Sequence, residues 1–205
     1  TMSIEEYQNM EHFFNETLIN GKPWLKRFFE DVEKNLFDGW LNPEAFEIVK
    51  SQKIHEIASH SFTHLPLSKK LIEKKSFIDE MNKMKKIMEL KDVDISTFIY
   101  PRNNIGFTTE LNQFGIKGYR ENLFQKNGIF AGKIKSFMSE LNILQRAQNH
   151  STNGQLIKIP SGYFLNWRSH LRKKVPISVT IKRWEHAINN AIKNNSVIHL
   201  WTHPH

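Results

Sequence analysis

The chain has 205 residues, of which 39% are apolar, with 15 Phe and 5 Trp; this suffices for a sizeable core and excludes a disordered chain. It has no cysteine, which excludes disulfides and sulfur-bound zinc, so any metal site must use His, Asp, Glu or water. The formal charge of +8 suits an acidic partner, but the lysines are scattered along predicted helices, which is typical of solvated faces. We recognise neither a signal peptide nor an apolar run of about 18 residues, so no membrane span is expected.

The chain begins with predicted helices. They cover residues 3–19, 24–36 and 43–51. Ser3 and Glu6 have the spacing of a capping box, in which each side chain accepts a hydrogen bond from the other residue's backbone. Asn42 followed by Pro43 is the usual pair for an N-cap and a first helical position. These signals fix the starts of the first and third helices.

Two histidines four residues apart follow a short strand predicted to start at His55. Ile57 and Ala58 are small and apolar enough to be buried, and the apolar run stops at His60, with His64 following. On a helical turn, residues i and i+4 share a face, so both rings can reach one divalent metal. A bare pair with this spacing is more often two solvated or core-satisfied histidines. The metal-site interpretation therefore depends on the surrounding sequence.

Helices and strands alternate after this pair. Further helices are predicted over residues 68–90, 108–114, 133–149 and 178–194. Strands are predicted over residues 95–100, 116–120, 156–160 and 197–201. The last helix carries Ile181, Trp184, Ile188 and Ile192 on one stripe. The alternation indicates parallel βα units, and therefore an α/β barrel or an open α/β sheet.

In parallel α/β folds, functional residues collect beyond the carboxyl ends of the strands. Six polar side chains follow predicted strands in this way: His60, His64, Arg102, Arg120, Ser161 and His203. Metal or acid–base chemistry would use the same residue types. We therefore expect the functional site to draw on this set.

The segment from His60 to His64, His-Ser-Phe-Thr-His, resembles the metal-binding motif of the polysaccharide deacetylases, carbohydrate esterase family 4. In that family the motif is His-[Ser/Thr]-x-x-His and both histidines bind the metal. The resemblance spans roughly residues 45–205. Residues 98–103, Phe-Ile-Tyr-Pro-Arg-Asn, resemble the third motif, in a version associated with capsule and envelope polysaccharides. The terminal His-Leu-Trp-Thr-His-Pro resembles the last motif, whose histidine, here His203, is the general acid.

The resemblance implies an incomplete or distorted (β/α) barrel over residues 41–205, preceded by a helical extension over 1–40. It implies a zinc-dependent hydrolase that removes N-acetyl groups from the amino sugars of a polysaccharide or oligosaccharide; no nucleic acid is expected as a partner. By position in the motifs, His60 and His64 would bind the metal and His203 would be the general acid. Within this chemistry we expect Arg102 to be catalytic. Arg120 either contacts an acidic glycan or is a solvated arginine, and the aromatic rings of Tyr163 and Trp167 either stack on the sugar or pack in the fold.

One family motif has no counterpart before residue 55. It is a strand ending in Asp-Asp, which supplies the catalytic base and the third metal ligand. Glu30, Asp31 and Asp38 fall in predicted helical or turn segments. Either the chain begins downstream of this motif or the protein lacks it, so we expect an incomplete metal site. The alternative hypothesis is a non-catalytic α/β module that binds an anionic glycan or nucleic acid through its basic surface.

Overall fold

A computed structural model describes residues 3–14, 17–121, 149–164 and 173–201. The chain divides into two compact units, residues 1–119 and 120–205. Residues 1–40 belong to the same unit as the histidine pair, while the predicted domain boundary after residue 40 remains a prediction. The helix predicted over 133–149 falls, except for its last residue, outside the described ranges.

The first unit combines helices with short strands. Its α-helices are α1 (Ile4–Met10), α2 (Lys26–Glu33), α3 (Pro43–Ser51) and α4 (Lys74–Leu90). Its 3-10 helices are Glu11–Phe13, Pro101–Asn103 and Thr108–Phe114. Its strands are β1 (Leu18–Ile19), β2 (Lys22–Pro23), β3 (Thr97–Phe98) and β4 (Gly118–Arg120), the last of which runs across the boundary between the units.

The predicted helix starts are confirmed at both caps. The Ser3 side chain accepts a hydrogen bond from the Glu6 backbone, and the Glu6 carboxylate accepts one from the Ser3 backbone at 2.7 Å. The Asn42 side chain accepts from the Ala45 backbone at 3.0 Å, and α3 begins at Pro43. The first helix is shorter than predicted, because α1 ends at Met10 and a 3-10 turn follows it.

Parallel pairing places the histidine segment beside β3. Strand β3 pairs in parallel with β4, and Ser59 forms an isolated parallel bridge with Phe98 on β3. The Ser59 N–H donates to the Thr97 carbonyl, and the Ile99 N–H donates to the Ser59 carbonyl. The segment before His60 therefore runs parallel to β3, as the sequence predicts, but its predicted strand is reduced to the bridge at Ser59 and the strand predicted over 95–100 to β3.

The N-terminal helices pack on α4 through an aromatic core. Tyr7, Met10, Leu25, Phe28 and Ile87 form a buried cluster. Partly buried aromatic and aliphatic side chains surround this cluster: Phe13, Phe14, Trp24, Phe29, Val32, Phe37, Leu41, Phe62 and Met88. Phe62 lies between the two histidines in sequence, so this core reaches the candidate site directly.

Gly106 allows two loops of the first unit to approach closely. Its carbonyl accepts a hydrogen bond from the buried Tyr100 hydroxyl at 2.7 Å. A Cβ at this position would overlap the Leu67 carbonyl oxygen and lie 3.1 Å from the Lys69 nitrogen. We expect Gly106→Ala to lower the free energy of unfolding by about 1–3 kcal/mol, the usual cost of overpacking. Urea denaturation measures this loss, with Gln113→Ala at an exposed position as the control. Equal stability of the two variants would contradict the packing argument.

The second unit contains one described α-helix, α5 (Ile177–Lys193). Its described strands are β5 (Ser151–Asn153), β6 (Leu156–Ile159), β7 (Tyr163–Phe164) and β8 (Leu200–Trp201). Strands β5 and β6 pair antiparallel, while β7 and β8 pair in parallel. The predicted strand over 197–201 is thus reduced to two residues plus a bridge at Val197.

The apolar stripe predicted on the last helix is not its buried face. Ile181, Ile188 and Ile192 are exposed, whereas Arg183, Ala187 and Ala191 are buried. The Arg183 guanidinium lies over the Trp184 ring, with 4.2 Å between Cζ and the ring centroid. Stacking on an aromatic face offsets part of the cost of burying a cation, which periodicity alone does not reveal.

Helices occur together with both parallel and antiparallel strand pairs, so the described part of the chain is α/β. The barrel remains a prediction. Within the described ranges, no helix combines the length and the apolar character needed to cross a lipid bilayer.

Candidate metal site

Residues 60–64 form an irregular turn and not the helical turn used in the sequence argument. Ser61 has φ 65° and His64 has φ 59°, so both adopt the left-handed conformation. Non-glycine residues rarely do so unless the surrounding structure holds them there. Arg102 (φ 53°) and Asn103 (φ 54°) show the same feature at the end of the neighbouring strand. The turn after Ser59 and the turn after β3 therefore both contain left-handed non-glycine residues.

The irregular turn nevertheless brings the two histidine rings together. Their centroids lie 4.6 Å apart and their planes meet at 69°. His60 is half-buried and His64 is exposed. His60 Nδ1 lies 2.7 Å from the Ile99 carbonyl oxygen. Because a carbonyl only accepts, Nδ1 carries the hydrogen and the neutral ring has its lone pair on Nε2.

The hydrogen bond from His60 to the Ile99 carbonyl is of the kind that many metal-binding histidines make with their second ring nitrogen. Such ligands usually donate their second ring N–H to a backbone carbonyl or a carboxylate, which fixes the tautomer and the ring orientation. Here the carbonyl belongs to Ile99, directly after β3. The strand pairing that places Ser59 beside β3 thus also sets the orientation of the His60 ring.

A buried glutamate holds the turn from behind. Glu80 lies on α4 and is only 4% exposed. Its Oε1 accepts hydrogen bonds from the Phe62 N–H at 3.0 Å and from the Thr63 N–H at 2.5 Å. The Thr63 hydroxyl donates to the same carboxylate at 3.0 Å. One carboxyl group therefore fixes the two residues that precede His64.

Burial raises the pKa of the Glu80 carboxyl, although the hydrogen bonds from Thr63 and its neighbours oppose this. A glutamate in the unfolded chain titrates near pH ~4.3. The contribution of Glu80 to stability is therefore fully present below about pH 4.3 and is lost as the pH rises through its higher folded-state pKa.

In the Glu80→Gln variant the side chain at this position cannot ionise. Its amide oxygen still accepts hydrogen bonds from the backbone N–H groups of the turn, and its amide N–H₂ can donate to the Thr63 hydroxyl. We expect the free energy of unfolding of Glu80→Gln, relative to the wild type, to increase from about pH 4 towards pH 7. Urea denaturation at a series of pH values measures this difference. If this difference in the free energy of unfolding stays constant or decreases as the pH rises, the pKa of Glu80 is not raised by folding.

Trp24 connects the turn to Arg102. Its indole N–H donates to the Thr63 carbonyl at 3.0 Å. The exposed Arg102 guanidinium lies over the same indole, with 5.0 Å between Cζ and the ring centroid. Arg102 thus presents a positive charge beside the histidine turn, in a cation–π contact.

In the amide hydrolysis that the sequence resemblance implies, the backbone N–H groups after Pro101 are candidates for an oxyanion hole. The Asn103 N–H donates to the Tyr100 carbonyl at 3.0 Å, and the Asn104 N–H donates to the Pro101 carbonyl at 3.1 Å. These two amides are committed to the 3-10 turn. An oxyanion hole built from them is therefore not supported.

The donor set fits two ligands of a divalent metal of the zinc type. Neutral imidazole is a favoured zinc ligand, and the bond from His60 to Ile99 supplies the expected outer-shell support. In the part of the chain that the structure describes, no group of three or more His, Asp or Glu side chains is arranged to hold a metal ion. A third protein ligand for the predicted metal is therefore not identified among the described residues.

The remaining predicted site residues lie in the second unit or outside the described ranges. Arg120 stacks on Trp201, with 5.1 Å between Cζ and the ring centroid, and burial lowers the pKa of the guanidinium. Tyr163 contributes its backbone to β7. Trp167 and His203 lie outside the described residues. Their proposed roles in sugar binding and proton donation stay predictions.

Glu80 and Trp24 were absent from the predicted site. A signal for Glu80 exists in the sequence, since it falls three residues after Phe77 and four before Met84, on the apolar stripe of α4. A carboxyl group on a buried stripe needs hydrogen-bond donors, and here the turn supplies them. Trp24 gives no such signal, because its contact with Thr63 joins residues 39 positions apart.

Comparison of the chain with models of protein families, with curated proteins and with solved structures found no match.

Proposed function

We propose that the protein is a metal-dependent deacetylase that hydrolyses N-acetyl groups on the amino sugars of a polysaccharide or oligosaccharide. The observation that carries this proposal is the approach of the His60 and His64 rings at a strand end, with His60 anchored to Ile99. The sequence resemblance to the polysaccharide deacetylases supplies the reaction type.

In this proposal His60 and His64 hold a zinc ion. A zinc ion held there would supply Lewis-acid chemistry: it would lower the pKa of a water molecule and polarise the amide carbonyl. The chain's own residues provide orientation and charge. The Ile99 carbonyl fixes the His60 tautomer and Glu80 fixes the backbone of the turn. Arg102, the predicted catalytic arginine, places an exposed positive charge beside the turn.

His203 is proposed to donate a proton to the leaving amine. A proton donor must stand apart from the metal, because a coordinated imidazole nitrogen has no lone pair with which to exchange a proton. The alternative role for this residue is that of a further metal ligand.

The proposed function is tested by acetate release from an N-acetylated oligosaccharide, with zinc-loaded and chelator-treated protein. We expect release only with zinc. His203→Ala should lower the rate by about 100-fold or more, the scale of general acid catalysis, without changing zinc affinity. Zinc affinity lost together with activity would make His203 a ligand, and an unchanged rate would remove it from the mechanism.

If the zinc-bound wild-type protein releases no acetate, either as the present chain or with an upstream extension, the deacetylase proposal is contradicted. The same assay should include a chain extended upstream of residue 1, because the family's aspartate motif supplies the base. Acetate release restricted to the extended chain would support the reaction and assign the base to the upstream segment.

A further inference from the structure

An apolar cavity of about 290 Å³ adjoins the histidine turn within the first unit. Phe28 and Trp40 line it from the N-terminal segment, Met84 and Met88 line it from α4, and His64 lies at its wall. We propose that this cavity binds the alkyl chain of the substrate's acyl group. The substrate class then extends from N-acetyl amino sugars to amino sugars that carry a longer N-acyl chain. This inference rests on the proposed amide hydrolysis at the histidine pair.

The lining selects an apolar ligand. The polar lining residues are Ser61, Thr63 and His64, and all other lining residues are aromatic, aliphatic or thioether side chains. The Thr63 hydroxyl donates to Glu80, and the Trp40 indole N–H donates to Asp31 at 2.9 Å. A sugar ring inside the cavity would lose its water hydrogen bonds without sufficient replacement, whereas an alkyl chain would lose none.

The volume selects the length of the chain. A water molecule occupies about 30 Å³ in the liquid, so the cavity has room for about ten groups of that size. An acetyl methyl group would leave most of this space empty. Apolar cavities of about half this volume stay dry and bind small hydrocarbons. A chain of about six to ten carbons therefore matches the space.

The position of the cavity gives the ligand its direction. The turn residues from Ser61 to His64 form one wall, and the His64 ring lies within 4.6 Å of the His60 ring, measured between centroids. A chain seated in the cavity would thus leave its carbonyl end beside the histidine pair. Met84 and Met88, which line the cavity from α4, can adapt to chains of different shape, because their side chains are unbranched and flexible.

The test is calorimetric binding of glucosamines that carry N-acetyl, N-butanoyl, N-hexanoyl and N-octanoyl groups to metal-free protein. We expect affinity to increase roughly threefold to fourfold for each added methylene, the effect of burying one such group. Met88→Phe and Leu41→Phe each narrow the cavity from a partly buried position, so they should flatten this increase for the longest chains. Leu90→Phe places the same ring on an exposed site of α4, so the increase in affinity with chain length should stay as in the wild type.

An affinity that does not depend on chain length would overturn the inference. A chain-length dependence that is unchanged in both narrowed variants would place the chain elsewhere and would also overturn it. Acetate release from the N-acetyl compound would then still support the proposed function. Conversely, the affinity could depend on acyl-chain length while the zinc-loaded protein hydrolyses none of the compounds. That result would support the cavity as the acyl-chain site and would contradict the proposed reaction.

Discussion

His60→Ala and His64→Ala are each expected to weaken zinc binding more than 100-fold. Mutating a residue that hydrogen-bonds to a metal ligand typically lowers metal affinity by about 10–100-fold. The loss here should be larger, because a ligand itself is removed. Both variants should also lose acetate release. Isothermal titration with zinc measures the affinity, and circular dichroism checks that the fold is retained.

His55→Ala is the matched control for these variants. His55 is an exposed histidine in the same segment, five residues before His60, and the sequence gives it no part in the metal motif. We expect its zinc affinity to equal that of the wild type. If all three variants bind zinc equally well, the histidine pair is not the metal site.

Glu80→Ala is expected to lower the free energy of unfolding by about 2–4 kcal/mol. The substitution leaves the N–H groups of Phe62 and Thr63 without their acceptor, and each buried unpaired donor costs about 1–3 kcal/mol. The turn before His64 also loses its anchor. We therefore expect zinc affinity to fall by about tenfold or more, as when the support behind a metal ligand is removed.

The two effects of Glu80→Ala can be separated. Glu89→Ala removes an exposed carboxylate from the same helix, and its stability should stay within about 0.5 kcal/mol of the wild type. Glu80→Gln should restore zinc affinity, since the amide oxygen accepts from the same two N–H groups. If Glu80→Ala is destabilised but binds zinc like the wild type, then Glu80 supports the fold and does not position the site.

Local sequence signals predicted the features of the fold that depend on neighbouring residues. The capping box at Ser3 and Glu6 and the start of α3 at Pro43 are determined by side chains within three positions of each other. The short 3-10 helix Thr108–Phe114 also matches its predicted range. The adjacency of His60 and Pro101 followed from the rule for parallel strands, which here holds through the bridge between Ser59 and Phe98.

The conformation of the histidine turn was not predictable in the same way. The spacing of His60 and His64 suggested a helical turn, but Glu80 and Trp24 bind the backbone of residues 62 and 63 from distant parts of the chain. The flanking residues Ser61 and His64 adopt left-handed conformations, which non-glycine residues rarely adopt unless the surrounding structure holds them there. Long-range hydrogen bonds therefore overrode the local pattern, while the approach of the two rings was retained.

The buried face of α5 shows a second limit. Periodicity favours Ile181, Ile188 and Ile192 as the inward stripe, yet the buried residues are Arg183, Ala187 and Ala191. Which face of an amphipathic helix is covered depends on the elements packed against it. Small alanines permit a close approach, and the stacked guanidinium of Arg183 fits beside Trp184.

The central claim is that His60 and His64 bind one divalent metal together, and anomalous scattering from a crystal soaked in zinc or cobalt tests it most directly. We predict a single peak between the two rings, about 2.0–2.1 Å from one ring nitrogen of each histidine. Rings that point apart, with no anomalous peak between them, would contradict the claim.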